Sequence, residues 1–307
     1  RVPYQWYRKL APWIYGVSLA GLVAVLAVGI ESGGAKRWID IGISGVQPSE
    51  LSKFGVVVFL AAVLTRKERL LGDFGHFLVP VLASLGLTSV LLLKQPDFGT
   101  TLVVAAGAMA VILVSAAPLR YVVATGLLGL MGASMLAVSQ GYRLARVTAF
   151  LSAEPDLLGS GYQLDQSLQA LGTGGVFGIG LGQSRARWLF LPNAHTDFIF
   201  AIIGEEMGFA GALFILALFA GFAVLGVVIS LRAPDRFGRL LAIGLTAWIV
   251  AQAVVNVGGV VGVLPISGIA LPFVSYGGTA LVMAMACAGV LINVARQGRA
   301  GGMHRGR

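Results

Sequence analysis

Apolar runs close to bilayer length recur eight times along this chain, at 11–30, 51–64, 77–93, 100–117, 121–139, 209–231, 240–262 and 279–295. Most reach the ~17–25 residues a helix needs to cross ~30 Å of hydrocarbon. The second is short, and it spans if Pro48 to Glu50 form its polar end at the interface. Backbone groups in lipid must pair within the protein, so the spanning choices are helices or a closed barrel. No alternating strands of the barrel kind are visible. With 57% hydrophobic and 11% charged residues, the chain reads as an all-α, polytopic helical membrane protein with about eight transmembrane helices and a long structured external loop. The expected organisation is a membrane domain over 1–295, with the loop at 140–197, and a basic cytoplasmic tail over 296–307. That tail is Gly-rich and expected to lie disordered against anionic headgroups.

The net charge of +9 is a topology signal and no nucleic-acid footprint. With the N-terminus assigned to the cytoplasm, fourteen lysines and arginines fall in cytoplasmic segments and seven in external ones, with Lys53 left inside a span. Four of those seven lie in the long loop, where the positive-inside bias has little force. Both ends are therefore predicted inside and the loop outside. Acids show the complementary bias, with Glu31, Asp40, Glu50, Asp97, Glu154, Asp156, Asp165 and Asp197 on or near the external side. Cys287 is the only cysteine, so no intrachain disulfide exists. The chain starts with Arg1 rather than Met, and further sequence is expected upstream.

Chemistry is expected where the loop rejoins the membrane. His195-Thr196-Asp197-Phe198-Ile199-Phe200 puts one carboxylate at the edge of an apolar span, where desolvation makes it costly. Asp197 therefore reads as a group that performs chemistry on something held at the lipid–water boundary. It also suits the N-cap of a helix starting at Phe198, and both readings stay open. Next to it, Glu205 and Glu206, flanked by Gly204 and Gly208, interrupt an overlong span. They predict a short half-helix, a break and a full span, with at least one acid partnered inside.

Other motifs have sharper and blander readings. Glu50 and Lys53 are three apart and share a helix face, so they form either a self-neutralising pair or a lysine held to meet a phosphate. Gln163 to Leu171 places Leu164, Leu168 and Leu171 on one face, as for a helix lying in the interface. The glycines of 172–182 do not open a Rossmann unit, which needs a preceding strand. They are expected to form turns that let a headgroup approach closely. Asp97 is expected to cap the following helix. The stretch 264–278 is apolar yet full of helix breakers, which is tolerated only where protein encloses it.

Taken together, Gly34 to Ile39, Gln47-Pro48-Ser49-Glu50, Gln95 to Thr100, Gly161-Tyr162-Gln163, His195 to Phe200, Gly204-Glu205-Glu206 and Leu271 to Gly278 resemble the SEDS family (shape, elongation, division and sporulation). The Ala201 to Glu206 continuation is more similar to the FtsW branch than to the RodA branch. The family has ten spans, so the resemblance implies that two N-terminal spans precede this chain. It also implies a peptidoglycan glycosyltransferase that polymerises lipid II on the outer face of the cytoplasmic membrane during cell division, with inversion at the anomeric centre. The family's essential acid falls on Asp197. Stabilising a departing diphosphate needs cations, for which Lys53, Arg37, Arg143 and Arg146 are candidates, with Glu50 positioning Lys53 and facing the Asp197 cavity. Gln163, His195, Thr196 and Ser275 complete the expected substrate-binding set. A divalent cation, Mg²⁺ or Mn²⁺, could assist, and no organic cofactor is expected.

The implied partners are lipid II, a single-span class B penicillin-binding transpeptidase and the division machinery, with no nucleic acid. The small residues Gly211, Ala212, Ala217, Ala220 and Gly221 mark a candidate surface for the transpeptidase helix. A lipid-linked oligosaccharide flippase is the alternative, but it needs no base at the external edge. An ion-coupled transporter would pair charges near the midplane, where these spans are nearly charge-free.

Overall fold

The computed structural model describes residues 2–32, 35–40, 42, 45–138, 160–186 and 194–305. Its principal helices are α1 (Gln5–Val28), α2 (Pro48–Arg66), α3 (Phe74–Lys94), α4 (Phe98–Val114), α5 (Leu119–Val138), α6 (Ser160–Gly174), α7 (Ile199–Leu231), α8 (Arg236–Val260) and α9 (Gly278–Arg305). Among the described residues seven helices are long and apolar enough to cross a membrane, and the 17-residue α4 is a shorter apolar helix. These eight coincide with the eight apolar runs.

Between α1 and α2 the chain forms a small antiparallel meander, β1 (Ile30–Ser32), β2 (Ala35–Asp40) and β3 (Gly45–Val46). Ile30 pairs with Trp38, and Ile39 with Val46. The sequence reading expected no strands. Aromatic and β-branched residues between glycines favour such pairing, but strands of two to six residues are too short to show a period. The tail also departs from expectation, since α9 continues as helix to Arg305. Its end is tied to the start of α1, where Asn293 Oδ1 accepts from Tyr4 N at 2.9 Å and Gln297 Oε1 from Gln5 Nε2 at 2.6 Å.

The chain divides into two compact units. One comprises Arg1–Gly129, Phe222–Ala251 and Gly278–Arg307, the other Leu130–Gly221 and Gln252–Gly277. In the first, α2 is the central helix, and most of its apolar length is buried. Close packing there uses small residues, as expected without a hydrophobic driving force in lipid. A Cβ on Gly107 would lie 3.2 Å from Val57 Cγ2 and 3.4 Å from Gly244 O. Pro48 opens α2, its missing N–H costing nothing at a helix start. Asp97 caps α4 as predicted, its Oδ1 accepting from Thr100 N at 3.1 Å.

Candidate active site

In the second unit, the segment around Asp197 is held by backbone and side-chain bonds on successive residues. Tyr276 N donates to His195 O at 3.0 Å. Ser275 Oγ donates to Thr196 O at 2.5 Å and accepts from Leu271 N at 2.7 Å. Asn256 Nδ2 donates to Asp197 O at 2.8 Å and to Ile269 O at 2.7 Å. Three consecutive carbonyls are thus fixed by the 264–278 stretch and by α8. Side chains also explain how that irregular stretch survives beside apolar helices: Asn256 serves the Ile269 carbonyl, and Gln252 Nε2 serves Ala270 O at 2.8 Å. These backbone groups are satisfied by protein, the condition for irregular chain at membrane depth.

The helical ladder of α7 starts from the Phe198 carbonyl, which accepts from Ala201 N at 2.9 Å. Phe198 therefore holds the cap position and is 2% exposed, while Asp197 stands one residue ahead of it, half-buried. An apolar cluster of Phe198, Phe200, Ala201, Ile202, Ala253, Val260 and Leu271 lies immediately beyond. The carboxylate thus sits at the boundary between a polar segment and an apolar core. A cleft of about 370 Å³ lined by His195, Ile199, Val274 and Tyr276 adjoins it, with His195 and Tyr276 exposed.

α7 breaks as the two acids and two glycines predicted, at Gly208 with φ 69° and ψ −167°. A break leaves carbonyls and N–H groups without helical partners, and the 174–186 loop supplies them. Ile179 N donates to Glu205 O at 3.0 Å and Gly180 N to Glu206 O at 3.1 Å. In return Phe209 N donates to Gly175 O at 2.8 Å and Ala210 N to Val176 O at 3.0 Å. The loop's glycines make this approach possible, since a Cβ on Gly178 would lie 2.1 Å from Glu206 O and one on Gly174 1.9 Å from Gly204 O. These contacts are made to protein backbone, where a headgroup had been expected. Glu205, 2% exposed, is partnered inside: Ser184 Oγ donates to it at 2.5 Å, Arg185 N at 3.1 Å and Ala186 N at 3.3 Å.

α6 presents the predicted leucine face partly to protein, with Leu168 still 44% exposed. Leu164 and Leu168 sit over Gly262, Leu171 over Gly204, and Ser167 Oγ donates to Val260 O at 2.9 Å. Gln163 is half-buried on this helix.

In the first unit, Lys53 Nζ and Glu50 Oε1 are 2.7 Å apart, with side-chain exposures of 2% and 7%. The ammonium also lies 5.5 Å from the Trp248 ring centroid, a cation–π contact. Arg37 spends Nε and Nη2 on the carbonyls of Gln95 and Pro96, at 3.1 and 2.6 Å, so part of its guanidinium serves the turn before α4. Arg143 and Arg146 lie outside the described residues. Among the described residues no group of three or more His, Cys, Asp or Glu side chains could hold a metal ion.

Asn256 was missed by sequence reasoning, although its signal was present. Gln252 and Asn256 are four apart in an apolar span, and so share one face.

Comparison with known proteins agrees with this architecture. The family model for the FtsW, RodA and SpoVE type, described as cell cycle protein, matches residues 1–300. Stage V sporulation protein E of Bacillus subtilis is 42% identical over 278 residues, which cover 91% of this chain and 76% of that protein. A probable peptidoglycan glycosyltransferase FtsW of Marinobacter nauticus is 43% identical over 297 residues, covering 95% and 73%. A solved peptidoglycan synthase complex, described as coordinating polymerization and crosslinking, superposes with a TM-score of 0.79 at 30% identity, covering 97% of this chain and 84% of its matched chain. The chain belongs to the FtsW/RodA/SpoVE family of cell cycle proteins.

Proposed function

We infer that this chain is a peptidoglycan glycosyltransferase of the FtsW type, which polymerises lipid II with Asp197 as general base. The observation that carries the residue assignment is the bracing of three consecutive carbonyls, at His195, Thr196 and Asp197. Such bracing keeps the carboxylate in place through a turnover, which is what positioning of a catalytic group requires.

In the proposed reaction, the acceptor sugar hydroxyl gives its proton to the Asp197 carboxylate as its oxygen attacks the anomeric carbon of the donor. The bond from that carbon to the diphosphate breaks, and its electron pair leaves with the diphosphate. Displacement without a covalent intermediate inverts the centre. A positioned base contributes ~10²–10⁴-fold to such a step. The negative charge that develops on the diphosphate calls for cations. Lys53 is the proposed cation of the first unit, its position set by Glu50, with Arg37, Arg143 and Arg146 as further candidates. Gln163, His195, Thr196 and Ser275 are proposed substrate contacts. Mg²⁺ or Mn²⁺ is proposed as a companion of the diphosphate leaving group.

The helices are those of a polytopic membrane protein. The lysine and arginine bias supports cytoplasmic ends and an external Asp197. A single-span transpeptidase is the proposed partner, because new strands need cross-linking and family likeness extends to a synthase complex. The test is polymerisation of purified lipid II by the purified protein together with that transpeptidase, read as glycan strands on a gel. Strands are expected. Lipid II flipped between leaflets without strand formation would instead identify a transporter.

A further inference from the structure

At the arginine-rich end of the first unit, α1, α2 and the start of α8 enclose a second cavity of about 460 Å³. Arg8, Lys9 and Arg66 line it and are exposed. Among the described residues, none of the three forms an ion pair. Arg236, by contrast, pairs with Glu68 at 2.7 Å. The one acid in the lining, Asp235, is already engaged. Its Oδ2 accepts from Tyr4 Oη at 2.9 Å and its Oδ1 from Gly238 N at 2.6 Å. Three cations therefore line one cavity with little charge to oppose them, with Lys9 Nζ 5.5 Å from the Trp6 ring centroid.

The rest of the lining is apolar, including Phe59, Ala62 and Val63. Pro12 also belongs to it and sits inside α1. It has no N–H for the Arg8 carbonyl four residues earlier, which leaves an acceptor without its usual helical donor. Exposed Trp6 and Trp13 stand on the same helix at 53% and 75% exposure, a signature of the headgroup level.

We propose that this cavity binds an anionic glycerophospholipid whose headgroup carries hydroxyls, of the phosphatidylglycerol class. The phosphate meets Arg8, Lys9 and Arg66, a headgroup hydroxyl donates to the Arg8 carbonyl, and the glycerol–acyl junction lies on Phe59, Ala62 and Val63. Basic pockets between spanning helices hold anionic headgroups by this combination. A soluble phosphate shares the cation contacts but gains nothing from the apolar floor.

The test is native mass spectrometry of the detergent-purified protein titrated with dioleoyl phosphatidylglycerol, dioleoyl phosphatidylcholine and glycerol 1-phosphate. The wild type is expected to retain phosphatidylglycerol at least tenfold better than phosphatidylcholine. The Arg8→Gln/Lys9→Gln/Arg66→Gln variant loses that preference, by on the order of a hundredfold for three basic residues. Lys67→Gln/Arg69→Gln, outside the cavity, keeps it within about twofold of wild type, because the neighbouring charge is only a diffuse field. Ala62→Leu retains all three cations but fills the floor, and should weaken phosphatidylglycerol binding on its own. Equal retention of the two lipids, or retention unchanged in the triple variant, would overturn the proposal. Displacement of phosphatidylglycerol by equimolar glycerol 1-phosphate would overturn it too, by making a soluble anion the ligand.

Discussion

Asn256 holds two backbone carbonyls with one amide group, and one of them belongs to Asp197. Asn256→Ala leaves both carbonyls without that donor, at a cost of roughly 1–3 kcal/mol per buried group. The expected outcome is a lower melting temperature together with a fall in kcat, since the carboxylate loses its brace. Lipid II turnover and thermal unfolding of one preparation check this, and unchanged kcat would separate Asn256 from the chemistry. The buried Glu50–Lys53 pair makes a different prediction. Lys53→Ala strands a buried carboxylate, which typically costs about 3–5 kcal/mol, whereas Lys94→Ala alters an exposed residue at the end of α3. Polymerisation by Lys53→Ala should therefore fall well below that of Lys94→Ala. A double change to Glu50→Gln/Lys53→Met removes both charges, so recovered folding without recovered activity would identify the lysine as functional. The boundary position of Asp197 and the Glu50–Lys53 ion pair were legible from costly charges in apolar surroundings. Asn256 and Gln252 showed only as two amides on one helix face, and their role was missed because amides carry no charge and their targets are backbone atoms elsewhere in the chain.

At the scale of elements, the break in α7 depends on the glycine loop that repairs it. Gly178 has φ 80°, and a Cβ there would meet the Glu206 carbonyl at 2.1 Å. Gly178→Ala is expected to destabilise by on the order of 1–3 kcal/mol through overpacking, with added strain from the left-handed backbone. Gly172→Ala, with nothing within 4 Å of the new Cβ, is the control and should stay near wild type by thermal unfolding. The break itself was readable from two acids and two glycines in an overlong apolar run. Which loop fills it was not readable, because glycine spacing alone says that something comes close and never what. The same limit applied to the leucine face of α6, which periodicity detects but cannot assign to lipid or protein. The β-meander escaped for the opposite reason, its strands being shorter than any period they could display.

For the whole molecule, the eight apolar runs and their charge bias give a topology that can be measured directly. Cys287, fully buried in α9, is the only cysteine, so Cys287→Ser provides a background without thiols. On it, Tyr276→Cys should react with a membrane-impermeant maleimide applied outside cells, and Arg69→Cys should react only after permeabilisation. Labelling in the reverse order would invert the orientation. The account's central claim is that Asp197 performs the proton transfer in glycan polymerisation. Asp197→Asn tests it most directly, because the amide keeps the shape and leaves the backbone carbonyl that Asn256 holds, while removing the base. With lipid II and the partner transpeptidase, wild-type protein is expected to make glycan strands. Asp197→Asn, matched in melting temperature and partner binding, should fall by at least the ~10²-fold expected for loss of a general base. Strand synthesis by Asp197→Asn at the wild-type rate would contradict the account.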